Sequence, residues 1–108
     1  MKFLFKTLIG MLSLTSIAFA QSKFPEGTIK MIVPFAAGGG VDSAARLIAK
    51  QMQANLNVTF VVENKPGANG SIGGKAVQVA PADGTTLLFS ASTQVLAKYV
   101  MVNPPYDP

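Results

Sequence analysis

Two glycine-rich stretches hold the chemistry this sequence offers. Gly38-Gly39-Gly40 and Gly67-Ala68-Asn69-Gly70-Ser71-Ile72-Gly73-Gly74 each run into a segment of helical pattern. Each therefore places backbone N–H groups, unshielded by side chains, at the positive end of a helix dipole, where anions bind. Glycines also serve tight turns and close helix packing, but two such loops in matching positions favour a ligand. Asp42 stands in the first turn of the first helix, with Arg46, the sole arginine, four residues on. That spacing suits an ion pair along the helix, and the carboxylate suits the dipole. The alternative for Asp42 is contact with a hydroxyl, an ammonium or a bridging water of the ligand. Ser90, Ser92, Thr93 and Gln94 can add hydroxyl or amide contacts from the same edge, or cap the helix that follows.

Other chemistry is excluded by composition. The 108 residues contain no His and no Cys, which removes the commonest general base, thiolate nucleophiles, disulfides and the usual zinc ligands. The few carboxylates have no paired partner in the sequence, so no catalytic residue, metal site or cofactor is assigned. One rival deserves statement. Gly38-Gly39-Gly40-Val41-Asp42-Ser43 nearly matches a dinucleotide-binding fingerprint, with Ser43 where Gly or Ala belongs and Glu63 where a ribose-binding acid stands. That reading, a Rossmann-like domain of an exported oxidoreductase, leaves the second glycine loop unexplained. A structural or adhesive secreted module predicts neither loop.

The elements that must hold these loops are legible from periodicity. Ile29 to Val33 form a nearly continuous apolar run before Pro34, the mark of a buried parallel strand. Ala45, Ile48, Ala49, Met52 and Leu56 recur at helical spacing, which predicts a helix from Val41 to Leu56. A second strand follows over Val58 to Val62, ended by a turn cluster from Glu63 to Gly67. A second helix is expected over Ile72 to Val79, stopped by Pro81 and the Asp83-Gly84 turn. Thr85 to Phe89 reads as a third strand and Thr93 to Met101 as a third helix. Strand, helix, strand, helix, strand is the order of an α/β parallel sheet with right-handed crossovers, which brings both glycine loops to its carboxyl edge.

The first twenty residues read as a leader. Lys2 and Lys6 precede the uncharged run Thr7 to Phe19, and Ala18-Phe19-Ala20 is a small-x-small cleavage pattern, so export with cleavage after Ala20 is expected. The apolar run is too short for the roughly 20 residues of a membrane span. Without the leader the net charge falls from +4 to +2 with scattered basic residues, which excludes nucleic acid and membrane surface as partners. Residues 21–108 then form one small domain, and the proline-rich close Asn103-Pro104-Pro105-Tyr106-Asp107-Pro108 reads as a connecting loop that leads the chain onward.

Several separated blocks also carry a resemblance. Ile32-Val33-Pro34-Phe35 into Gly38-Gly39-Gly40, Asp42 and Ala45-Arg46-Leu47 come first, followed by Val61 to Ala68 with Gly70, Ile72 and Gly73. Ala80-Pro81, Asp83-Gly84, Thr86-Leu87-Leu88 and Pro105 to Pro108 complete the set. In this order they resemble the Bug family, the extracytoplasmic solute receptors of tripartite tricarboxylate transporters. The resemblance covers Phe24 to the last residue. It implies a periplasmic binding protein, not an enzyme, whose two α/β domains close on a small carboxylate such as a di- or tricarboxylate, an acidic amino acid or an aromatic acid. It implies ligand contacts at Ala36, Ala37, Gly38, Gly39 and Asp42 in the first loop and at Ala68, Gly70 and Ser71 in the second, with Ser92 and Thr93 as further candidates. It implies membrane components of such a transporter as partners. Family members run to roughly 300 residues, two domains of ordinary size. The chain is therefore expected to be the N-terminal part of the first domain, without the second, and to bind weakly or not at all by itself.

Overall fold

The computed structural model describes residues 26–107. The expected leader, the segment from Gln21 to Pro25 and Pro108 lie outside the described residues.

Three parallel strands form the sheet. β1 (Thr28–Val33) is central, flanked by β2 (Thr59–Asn64) on one side and β3 (Thr86–Leu88) on the other. The register places Thr28 opposite Thr59, Val33 opposite Asn64, and Met31 opposite Leu87. A strand paired on both edges and covered on both faces needs apolar residues in succession, and Met31, Ile32 and Val33 are all buried.

Helix α1 (Gly40–Leu56) packs on β1 and β2, while α2 (Ser71–Gln78) packs on β1 and β3 and touches α3 (Thr93–Val100). Ala45 and Ala49, one turn apart, bring α1 down onto Met31 and Val33, and Phe35, Val41, Met52, Phe60, Val62 and Phe89 close this core. From β1 the chain moves to β2, then crosses back over β1 to reach β3. Two right-handed crossovers in opposite directions put α1 and α2 on opposite faces. Alternation agrees: Val33 joins the α1 core, and Pro34, the next residue, meets Gly73 of α2.

The fold class and element order match the expectation from sequence, with corrections at the ends. β2 runs to Asn64, so Glu63 and Asn64, read from sequence as turn residues, are the last rungs of the ladder opposite Ile32 and Val33. Lys65 N–H extends that pairing to Val33 O at 2.8 Å. Pairing with the central strand outweighs local turn propensity there. β3 keeps only Thr86–Leu88, and α2 begins at Ser71 rather than Ile72. A 3-10 turn, Ala68–Gly70, precedes α2 and is absent from the sequence reading. Asp83 shapes the turn before β3, its Oδ1 accepting from Thr85 N–H at 2.9 Å and from Thr85 Oγ1 at 2.6 Å.

Candidate functional site

β1 ends in the loop from Pro34 to Gly39, and β2 ends in the loop from Lys65 to Gly70. Because β1 and β2 are parallel neighbours, both loops stand side by side on the carboxyl edge of the sheet. The connection from β1 leaves toward β2 and the chain then returns past β1 to β3, so on this same carboxyl edge the topological switch point lies between β1 and β3, the kind of place where open α/β sheets bind ligands. The start of α3 joins them. Between the three lies a groove of about 300 Å³ lined by Phe35, Asn69, Thr93, Leu96, Ala97, Val100 and Met101.

In the first loop, Ala36, Ala37, Gly38 and Gly39 are all exposed, but their amides are in different states. Gly38 turns at φ +84° and donates its N–H to Asp42 Oδ2 at 2.8 Å, and Gly39 N–H reaches back to Ala36 O at 3.4 Å. Among the described residues, the N–H groups of Ala36, Ala37, Gly40, Val41 and Asp42 meet no acceptor. The last three are the unpaired donors that any helix start leaves.

Asp42 is buried, and both carboxylate oxygens are engaged. Oδ2 accepts from Arg46 Nε at 3.0 Å and from Gly38 N–H, while Oδ1 accepts from Asn64 Nδ2 at 2.9 Å. Asn64 Nδ2 also donates to Phe35 O at 3.1 Å, and Arg46 Nη2 donates to Asn64 Oδ1 at 3.0 Å. The i,i+4 pair foreseen from sequence is therefore present, and Arg46 lies along α1 against the end of β2. The hydrogen bond from Arg46, then those from Gly38 and Asn64, hold the Asp42 carboxyl at about 2, below its ordinary 3.8.

A pH dependence of stability follows from that depressed value. Asp42 binds a proton more weakly folded than unfolded, so its stabilisation is complete above about pH 4 and drains away as pH falls toward about 2. Urea unfolding from about pH 6 to about pH 2 checks this. The midpoint gap between wild type and Asp42→Asn is expected to be widest at the top of that range and to close at the bottom. Asp83 is also held low by Thr85, but it acts equally in both proteins.

The second loop has an unusual backbone. Gly67, Ala68, Asn69 and Gly70 have φ of 122°, 45°, 54° and 88°, four consecutive residues on the positive side. Glycine adopts such angles freely, but Ala68 is strained there, and strain of this kind collects at functional sites. Gly70 N–H bonds Gly67 O at 2.9 Å, and among the described residues the exposed amides of Ala68 and Asn69 meet no acceptor. Gly70 and Ser71 are buried. The Ser71 hydroxyl donates to Met101 Sδ at 3.3 Å, so the side chain faces the interior.

At the third edge segment, Thr93 lines the groove, while Ser92 is exposed and makes no cap hydrogen bond to α3, contrary to the capping alternative. Gln94 is buried behind the second loop. Its Nε2 donates to Gly70 O at 2.9 Å, and its Oε1 accepts from Ser90 Oγ at 3.1 Å. Sequence reading missed Asn64, Phe35, Asn69 and the α3 residues Leu96, Ala97 and Val100. Asn64 carried one usable signal, a side-chain amide at the end of a strand next to a glycine loop. Glu63, the ribose-binding candidate of the dinucleotide reading, instead stands 3.7 Å from Lys65 Nζ.

Comparison with known proteins gives a consistent picture. The model of the tripartite tricarboxylate transporter family receptor matches residues 44–108. BugT of Bordetella pertussis is 44% identical over 81 residues, 75% of this chain and 25% of that protein. The structure of the periplasmic binding protein BugD is 49% identical with a TM-score of 0.58, covering 60% of this chain and 22% of that one. MatC from Rhodopseudomonas palustris, solved with bound malate, superposes with a TM-score of 0.71 at 35% identity, over 79% of this chain and 29% of that one. The chain spans between 21% and 30% of the length of the curated relatives it matches.

Proposed function

This chain belongs to the tripartite tricarboxylate transporter family of receptors, and from that premise we propose that it is the N-terminal part of a periplasmic two-domain receptor for a small carboxylate. The family is one of receptors, not enzymes, and the proposed work of the site is capture. The observation that carries the proposal is the pair of adjacent loops whose Ala36, Ala37, Ala68 and Asn69 amides stand open at one edge of the sheet.

A ligand carboxylate accepts hydrogen bonds from these amides and from the start of α1, where the helix dipole adds to the attraction. Preformed donors lose little freedom when the ligand arrives. Asp42 does not oppose the anion, because its charge is turned inward onto Arg46 and its oxygens are occupied. Of the proposed ligand residues, Ala36, Ala37 and Ala68 act through open amides and Thr93 through its hydroxyl. Ser92 lies beside Thr93. Gly38, Gly39, Gly70, Ser71 and Asp42 give the loops their shape. Phe35, Leu96, Val100 and Met101 offer the ligand's carbon skeleton an apolar wall. Leu96 and Val100 are exposed, which leaves that wall uncovered on one side. In this reading the second domain closes over it, the leader directs export with cleavage after Ala20, and the loaded receptor meets the transporter's membrane components.

The test is calorimetric titration of the chain from Gln21 beside the intact polypeptide with whatever sequence continues past Pro108. Malate, citrate, glutamate, benzoate and NAD serve as ligands. The intact polypeptide is expected to bind one of the acids at least about a hundredfold more tightly than the short chain, a difference of about 2.7 kcal/mol. Binding of NAD with failure of every acid assigns the first loop to the dinucleotide class instead.

A further inference from the structure

We propose that Asn64 is a positioning residue: from the end of β2 it clamps the Phe35 carbonyl and so aims the Ala36 N–H at the ligand. The inference rests on the carboxylate-receptor reading above and assigns the residue that sets the geometry of its first loop.

All of the Asn64 carboxamide is used. Its nitrogen donates to Phe35 O at 3.1 Å and to Asp42 Oδ1 at 2.9 Å, and its oxygen accepts from Arg46 Nη2 at 3.0 Å. The reverse orientation of the amide sets its oxygen against two other oxygens, so the partners themselves decide which way the group faces. In a trans peptide the C=O of one residue and the N–H of the next are coplanar and antiparallel. Holding Phe35 O therefore points the Ala36 N–H away from Asn64, and that N–H meets no acceptor among the described residues. The same side chain fixes Asp42, whose Oδ2 holds the Gly38 N–H and with it the far end of the loop. One amide on the neighbouring strand thus constrains the loop at two points, directly at Phe35 and through Asp42 at Gly38. Register explains why this position can do so: Asn64 is opposite Val33, the last residue of β1, and the loop begins immediately beyond.

The test uses the intact native polypeptide, labelled with ¹⁵N and titrated with malate, citrate, glutamate and benzoate. In the wild type the acid that binds is expected to move the amide resonances of Ala36, Ala68 and Asn69. Asn64→Leu, similar in size but without donors, is expected to weaken that acid by about tenfold, in line with the hydrogen bonds lost. It is also expected to abolish the Ala36 response while those of Ala68 and Asn69 persist. Asn64→Asp, which keeps shape and removes both donors, serves if the Leu variant does not fold. Unchanged affinity and an unchanged Ala36 response in either variant overturn the inference alone. A parallel loss of all three responses together with a lowered melting temperature overturns it too, since the role is then structural only. A wild type that answers to none of the acids overturns the receptor reading and the inference with it.

Discussion

Replacing Gly73 by Ala is expected to destabilise the protein by about 2 kcal/mol, within the range for overpacking a close contact. Helix propensity alone predicts the opposite sign, because Ala is favoured over Gly in a helix by roughly 1 kcal/mol. Gly73 lies inside α2, where the helix crosses the end of β1. A Cβ built there stands 2.7 Å from Pro34 Cβ, 3.0 Å from Pro34 Cα and 3.1 Å from Lys65 O. None of these is the free end of a flexible side chain. Pro34 is fully buried with its ring locked, and Lys65 O belongs to the backbone beside the second loop. The helix must therefore back away from the sheet, which also shifts both glycine loops. Gly40→Ala is the control: a Cβ there meets nothing within 4 Å, and its effect is expected to be neutral or slightly stabilising. Thermal unfolding distinguishes them, since about 2 kcal/mol corresponds to a drop of roughly 10 °C in a domain of this size. Equal melting temperatures for the two variants contradict the close approach of α2 to Pro34.

Tyr106→Ala is expected to cost about 3 kcal/mol or more, and Tyr106→Phe only about 1 kcal/mol, by the usual cost of a large buried aromatic and of one buried hydrogen bond. Tyr106 is 6% exposed although it sits among prolines near the end of the sequence. Its ring lies over Gly74, where an added Cβ comes within 3.0 Å of Cε1 and Cζ, and its hydroxyl donates to Gln94 O at 3.0 Å. The same Gln94 holds Gly70 O, so Tyr106 braces the second glycine loop through one intermediate residue. Urea unfolding of the two variants checks the ratio of effects. A Phe variant as damaging as the Ala variant means that the hydroxyl, not the ring, carries the contact.

Tyr106 also shows where sequence reasoning stops. Pro104-Pro105-Tyr106-Asp107 reads as a connector because prolines exclude regular structure, and the segment indeed forms no helix or strand. Irregular backbone says nothing about burial. The tyrosine finds a slot only because Gly74 leaves room on α2, thirty-two residues earlier. Likewise, Gly73 and Gly74 fall inside the helix expected over Ile72 to Val79, but only the structure shows that their missing side chains admit Pro34 and Tyr106.

The sequence by itself determined the order of strands and helices, since that order follows from hydrophobic periodicity and from turn residues that act within a few positions of themselves. It also determined that amide-rich loops end the first two strands, and its ordered blocks pointed to the receptor family that the chain belongs to. Only the tertiary structure decided which of those amides stay open. That outcome depends on Asp42 turning inward to meet Gly38 and Arg46, and on Asn64 arriving beside Phe35. The turn propensity of Glu63 and Asn64 was legible, but their pairing with β1 was not, because the ladder bonds come from a strand thirty residues away. Local pattern decides what a segment becomes; which donors are used up is decided by partners that only folding brings within 3 Å.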